Sequence, residues 1–287
     1  MAAIDGEALR RHIGARTVEE DVASEAPLRA IAATFGRSEP PPRPGAPIPP
    51  GWHIGYFLPM PPPSALAADG LPRSGGVLPE VPLPRRMYAG SRLTFHAPLL
   101  VGDAIRRETE LTDLQVREGG TGMLILATQT RRIFTPRGLA LSEVYETVFR
   151  EAVPPGAASP VPRRSEPPPD LPWRRTIVPD AVTLFRFSAL TFNPHRIHYD
   201  RAYAREVEGY PGLVVHGPLV QTCLIDLVRD ASPGRTIAGF SLRARAPLFD
   251  DAPFALVGRP GADGRGCEVW ALTPAGTIAT EATATFA

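Results

Sequence analysis

The chain has 287 residues, enough for two domains of ordinary size or one large one, each able to bury a core. Its 31 basic and 30 acidic residues nearly cancel, so no long-range field points to nucleic acid or to an anionic membrane surface. All 31 basic residues are Arg, which excludes a Lys Schiff base or Lys general base and leaves Arg and His to meet any anion.

In chain order, the amino-terminal stretch lacks the apolar run of a signal peptide, and no apolar run is long enough to span a membrane. Residues 4–36 read as two short amphipathic helices, the second opening at Ser24-Glu25-Ala26-Pro27 and running into LRAIAATFG. Residues 37–88 hold 15 of the 35 prolines and therefore cannot form a long helix or a central strand. Trp52, Tyr56, Phe57, Leu58, Met60 and Met87 make this segment a loop laid over apolar surface rather than a disordered one. Four strand-length runs follow, at 92–97, 105–116, 123–134 and 139–149, separated by turn-rich breaks, and describe an antiparallel meander. Gly119-Gly-Thr-Gly122 has no helix pattern after it and reads as a hairpin turn, not a phosphate loop.

Residues 151–172 carry eight prolines in 22 positions and read as an interdomain linker. After it the layout restarts. A short strand at 173–178 precedes a helix set up by Pro179-Asp180 and running through Leu190. A polar loop rich in His comes next. Gly217-Pro218 opens a helix with Leu219, Val220, Cys223, Leu224, Leu227 and Val228 on one face. Four more strand-like runs, at 236–246, 252–259, 267–273 and 277–286, close the chain. Helix first and meander afterwards, twice over, indicates an internal duplication of α+β type. Cys223 and Cys267 are too few for a disulfide framework and suit a reducing, cytoplasmic setting.

The stretch 184–227 carries three of the six histidines, His195, His198 and His216, and is where chemistry is expected. Its order is helix, polar loop, extended segment and buried helix. A loop carrying a base then faces a helix N-terminus able to hold developing negative charge. Three histidines could also bind zinc, but no Cys or carboxylate sits at a supporting spacing, so no metal is expected. No nucleotide fingerprint is present, and the expected chemistry is cofactor-free.

The stretches FSALTFNPHRIHYD and EGYPGLVVHGPL resemble the MaoC-like hydratase/dehydratase family, in particular its double hot-dog subgroup. That subgroup includes the mitochondrial-type 3-hydroxyacyl thioester dehydratases and the mesaconyl-C4-CoA hydratases. LRAIAATFG, LPRRMYAGSRLTFHAPLLVGD and SEVYETVFR fit the subgroup's amino-terminal half, so the resemblance covers most of the chain. It implies an α+β double hot-dog, with a non-catalytic first domain (1–150), the linker (151–172) and a catalytic second domain (173–287). It also implies reversible hydration of an enoyl thioester. Asn193 and His198 are carried over as the catalytic pair and the Gly217 amide as the oxyanion donor. The family's usual Asp, five residues before its His, is Asn193 here, which leaves proton traffic to His198 and the orienting of water to the amide. Asp200 is the nearest acid in sequence that could orient an imidazole.

His195, Arg196, His216, Arg243 and Arg245 are expected around the substrate, an acyl-CoA or acyl-carrier-protein thioester, with the three arginines as candidates for the carrier's phosphates. A substrate with a free carboxylate would want an Arg in the acyl pocket, and the sequence places none there. A thioesterase on the same fold and a non-catalytic acyl-thioester binder are the other two classes these signals allow. Nothing in 24–60 repeats the Asn-x4-His spacing, so the first half is expected to cap the sheet and shape the acyl tunnel. A homodimer is one open arrangement, although two fused copies already supply the pairing of single hot-dog subunits.

Overall fold

Ten strands hydrogen-bond into one antiparallel sheet in the order β1-β3-β4-β5-β2-β7-β10-β9-β8-β6. This is a computed structural model, which describes residues 4–119, 122–152, 154 and 165–287. The first half supplies α1 (Gly6–Arg10), β1 (Arg16–Val22), α2 (Glu25–Phe35), β2 (Arg85–Phe95), β3 (Ala104–Gly119), β4 (Gly122–Thr135) and β5 (Gly138–Arg150). The second supplies β6 (Trp173–Ile177), α3 (Ala181–Leu190), α4 (Gly217–Ala231), β7 (Ile237–Ala244), β8 (Phe254–Pro260), β9 (Gly266–Leu272) and β10 (Ile278–Phe286). Read outward from the middle, β2-β5-β4-β3-β1 mirrors β7-β10-β9-β8-β6, so the repeated layout is the fold's own symmetry. Among the described residues no helix is long and apolar enough to cross a membrane.

The two halves meet at the seam of β2 with β7, paired from Gly90↔Arg243 to Thr94↔Gly239. The simple meander expected for the first half is corrected here. β3, β4 and β5 do follow one another, but β2 lies beyond β5, against the second half. A second correction concerns 16–22, expected as helix and found as the edge strand β1. Its sequence RTVEEDV alternates exposed and half-buried positions, and Glu19 and Glu20 sit opposite Arg107 and Arg106 of β3. Cross-strand charge pairs stabilise an edge that has little apolar surface to bury. Half of the expected linker, residues 153 and 155–164, and the tip of the 119–122 hairpin lie outside the described residues.

The Pro-rich segment is a packed loop as far as Pro84, but Arg85–Tyr88, expected as part of that loop, open the central strand β2. Trp52, Tyr56 and Phe57 are buried in the main core, while Met60 is exposed. Both cysteines are buried and free.

α4 is the central helix. Its expected apolar stripe is buried, and so are Gln221, Thr222, Ile225 and Asp226, because the sheet covers one side and the first half covers the other. Asp226 accepts hydrogen bonds from Trp52 Nε1 at 3.2 Å and Arg229 Nη1 at 2.7 Å, which offset the cost of burying a carboxylate.

The first half has no equivalent of α4. In the second half an isolated bridge, Val214↔Phe249, leads directly into the helix; in the first, the matching bridge, Pro47↔Leu100, leads into Pro49-Pro50-Gly51 and one 3₁₀ turn, Trp52–Gly55. Gly51 at φ 86° is left-handed and cannot continue a helix. The helix-facing surface of the first-half sheet is therefore left open to a cavity.

Gly90 lies at the bulge of β2, where a Cβ would fall on the Leu242 carbonyl oxygen of β7. No side-chain rotation relieves a clash with backbone. Gly90→Val should therefore destabilise the chain by about 3 kcal/mol or more, read as a lowered thermal unfolding midpoint. A wild-type midpoint would mean that the seam is not what couples the halves.

Candidate active site

A cavity of about 2170 Å³ runs between α4, the histidine loop and the open face of the first-half sheet. Asn193, His195, His198 and Gly217 all line it. The loop that delivers three of them starts where α3 ends. The Asn193 amide donates to the Ser188 carbonyl at 2.8 Å, and Phe192 sits at φ 48°, a strained conformation for an aromatic residue. Asn193 Oδ1 then accepts the His195 amide at 3.0 Å, which holds the turn and leaves the side-chain N–H groups for other use.

His198 is buried and donates from Nδ1 to the Val214 carbonyl at 2.7 Å. A carbonyl can only accept, so the neutral ring carries its proton on Nδ1 and presents a lone pair at Nε2. Burial pulls its pKa down to about 4, with the Val214 hydrogen bond opposing. The ring stacks on His216, with centroids 3.6 Å apart and planes 19° from parallel. His216 is the N-cap of α4, so this stack packs His198 against the residue that precedes Gly217. His216 Nε2 lies 2.9 Å from Ser188 Oγ, and Phe187 packs against its ring with centroids 4.9 Å apart. His195 stands edge-on to His198, with ring centroids 5.4 Å apart.

All three imidazoles are held toward the neutral form. For His195 burial is the largest cause, followed by the nearby His198 and Arg86; for His216 it is burial, then His198 and His195. The rings stack or meet edge-on instead of converging on a point, and among the described residues no cluster of His, Cys, Asp or Glu is arranged to hold a metal ion.

Gly217 is the first residue of the 15-residue α4, so its N–H has no acceptor within the helix, and the positive end of the helix dipole lies at the same place. A Cβ at Gly217 would overlap the ring of Tyr88, so Gly is required for β2 to close over the helix start. The Tyr88 hydroxyl donates to Gln221 Oε1 at 2.5 Å, and Ser91 Oγ lies 2.5 Å from the same oxygen, tying the seam strand to the first turn of α4.

The arginines expected near substrate separate. Arg245 lines the cavity and pairs with Glu281. Arg243 is exposed on β7 and does not line it. Arg196 does not line it either: its guanidinium is held by Asp200 Oδ2 at 2.7 Å and the Ala68 carbonyl at 3.1 Å, over the Tyr203 ring. Asp200 is corrected as an imidazole orienter, since it pairs with Arg196 and accepts the Tyr203 amide at 3.0 Å, while Val214 orients His198.

Two polar groups went unnoticed in the sequence. Asp69, buried in the Pro-rich loop, brings Oδ2 to 3.9 Å from His195 Nε2, and Arg86 of β2 lines the cavity. Neither has a local pattern, since a sequence separation of over a hundred residues brings each to the loop.

Residues 51–250 match the family model described as hydroxyacyl-thioester dehydratase type 2. Mesaconyl-C(4)-CoA hydratase from Chloroflexus aurantiacus is 48% identical over 247 residues, covering 86% of each chain. The mitochondrial hydroxyacyl-thioester dehydratase type 2 of Schizosaccharomyces pombe is 24% identical over 277 residues, covering 85% of this chain and 90% of that one. Among solved structures, HtdX of Mycobacterium tuberculosis superposes with a TM-score of 0.64 at 18% identity, over 95% of this chain and 100% of that one. A MaoC-like dehydratase from Phytophthora capsici gives 0.66 at 12% identity, over 99% and 98%. With the family model spanning most of the chain and the double hot-dog layout in place, the chain belongs to the hydroxyacyl-thioester dehydratase type 2 family of MaoC-like hydro-lyases.

Proposed function

We propose that this protein reversibly hydrates an enoyl-CoA thioester of the mesaconyl type, with His198 as acid and base, Asn193 orienting the water and the Gly217 amide holding the enolate oxygen. The observation that carries this is a single cavity onto which His198, Asn193 and the first turn of α4 all open, with the His198–His216 stack packing the imidazole against the residue that precedes Gly217. The 48% identical relative named for mesaconyl-C(4)-CoA hydration supports the substrate type.

In the hydration direction, His198 Nε2 takes a proton from a water held against the Asn193 amide, and the oxygen bonds to the β-carbon. The electron pair of the double bond moves toward the thioester, and negative charge collects on its oxygen within reach of the Gly217 N–H. The imidazolium then returns the proton to the α-carbon. A buried His with a pKa near 4 is neutral at rest, and once protonated it is a strong acid that gives the proton up readily. No atom beyond water and substrate is consumed. The first half, with no acid–base loop of its own, closes the cavity.

Two outcomes follow. His198→Ala should lose at least about a hundredfold in kcat/KM on mesaconyl-C4-CoA or crotonyl-CoA, followed by enoyl absorbance, with its circular dichroism unchanged. Full turnover in that variant would refute the assignment, and release of free thiol from crotonyl-CoA would make the protein a thioesterase.

The second outcome concerns pH. His198 has a folded pKa of about 4 against an unfolded value of 6.5, so as pH falls the unfolded chain takes up the proton first. Its contribution to stability is complete above about pH 6.5 and declines down to about pH 4, by on the order of 3 kcal/mol. The lowered values of His195 and His216 add in the same direction. Urea unfolding between pH 7 and pH 4 reads this directly. A flat unfolding free energy across that window would show that the rings are solvated.

A further inference from the structure

The two half-sheets present opposite chemistry on their helix-facing surfaces. In the second half, Leu256, Val269, Ala271, Ala282 and Ala284 are buried in the main core with α4. The open face of the first half carries Thr109, Gln129, Arg131, Glu143, Tyr145 and Thr147 alongside the apolar Ile133 and Leu141, all lining the cavity. A fatty acyl tail needs an apolar tunnel, because a methylene set against buried polar groups leaves them desolvated and unpaired.

Among the described residues, three buried side-chain polar atoms have no hydrogen-bond partner: His195 Nε2, His216 Nδ1 and Arg86 Nε. Two belong to the histidine cluster. The third belongs to a cation two residues before Tyr88, the residue that covers Gly217. Other cavity arginines are paired, Arg107 with Glu19 at 2.7 Å and Arg131 with Glu143 at 3.2 Å. Arg86 has no carboxylate within 4.0 Å among the described residues. Its contacts are neutral: Nη2 donates to the Pro72 carbonyl at 2.9 Å, and Cζ lies 5.1 Å from the Phe149 ring centroid. Asp69 is near enough to act on it electrostatically, and burial outweighs that attraction and lowers its pKa. Tyr145 lines the same cavity as Arg86, with Arg131 Cζ 3.9 Å from its ring centroid, and its buried hydroxyl feels the charges of Arg131, Glu143 and Arg86. Its ring is 5.1 Å from that of Tyr88, so contact is continuous from the helix start to this polar group.

We propose that Arg86, together with the Tyr145 hydroxyl, receives a free carboxylate at the far end of the acyl group, so that the cavity selects the thioester of a short dicarboxylic acid. This rests on the cavity being an acyl-thioester site, and it assigns the selecting groups to the half that does no chemistry. A carboxylate supplies the charge partner that Arg86 lacks. A methyl at the same position leaves a buried cation unpaired, which is a penalty as well as a missing attraction.

Saturated ligands test this without turnover. Calorimetric titration should show wild-type protein binding succinyl-CoA at least thirtyfold more tightly than butyryl-CoA, which has the same chain length and no carboxylate. Arg86→Met should abolish the difference, and Tyr145→Phe should reduce it severalfold. Equal affinities in the wild type would overturn the proposal. So would an Arg86→Met variant that weakens both ligands alike, because that is the result expected if Arg86 meets the CoA phosphates or merely braces the loop at Pro72. Should Arg86→Met fail to fold, the methyl ester of succinyl-CoA poses the same question to the wild type, with a thirtyfold loss expected and undiminished binding fatal. The result is separable from the hydratase assignment. A protein that prefers succinyl-CoA yet hydrates no enoyl-CoA keeps the subsite and loses the reaction, whereas one that hydrates crotonyl-CoA without that preference keeps the reaction and loses the subsite.

Discussion

One helix packed against a sheet built for two sets the rest of the structure. α4 is buried from Leu219 to Val228, and its first turn is fixed from three sides: by the His216–His198 stack, by Tyr88 over Gly217, and by Gln221 hydrogen-bonded to the seam strand β2. A helix N-terminus is useful for catalysis only if its free amides point at one place. Two of these restraints come from the seam strand β2 and one from the histidine loop, so neither part can shift without disturbing the helix start. The seam that joins the halves is also the wall of the site.

The histidine cluster comes at a cost in stability. Three imidazoles packed edge to face and face to face lose most of their hydration, and two of them retain a ring nitrogen with no partner among the described residues. Buried polar atoms are normally satisfied; His195 Nε2 belongs to a residue that lines the cavity, whereas His216, expected at the substrate, is fully buried against His198 and does not line it. The Val214 carbonyl fixes the tautomer and orientation of the His198 ring, leaving Nε2 free to accept.

Sequence patterns conveyed the helices and the histidine loop of the second half, although its meander failed as the first half's did, with β7 pairing with β10 and not with β8. The apolar spacing of α4, the Gly-Pro that starts it and the loop reading FNPHRIHYD all act locally, and local signals survive in a linear reading. Those that failed depend on distance. β1 is a polar edge strand, stabilised by partners on β3 about ninety residues away, and its few apolar side chains mimic a short helix. β2 was placed next in the meander because consecutive strands usually pair, and the pseudo-symmetric seam overrode that habit. Asp200, two residues from His198, looked like its partner but turned to Arg196, because the Asp200 amide donates to the Arg196 carbonyl at 2.8 Å and that turn brings the two side chains together. Arg86 was invisible because nothing near it in sequence distinguishes a cavity-lining arginine on a strand from a solvated one.

The missing helix of the first half ties these points together. After duplication, two copies of a hot-dog layout would bury two similar sheet faces under two helices. Here Pro49-Pro50-Gly51 and a single 3₁₀ turn stand where the second half has α4, and the sheet face opposite is left uncovered. An apolar face left open would have been a liability, exposing greasy surface to water or accepting any alkyl chain. A face that mixes Thr, Gln, Tyr, Arg and Glu with Ile133 and Leu141 can meet a ligand by hydrogen bonds and charge, which reject a wrong one more strongly than methylene contacts do. Substitutions on β3, β4 and β5 would change that face while leaving α4 and the histidine loop untouched.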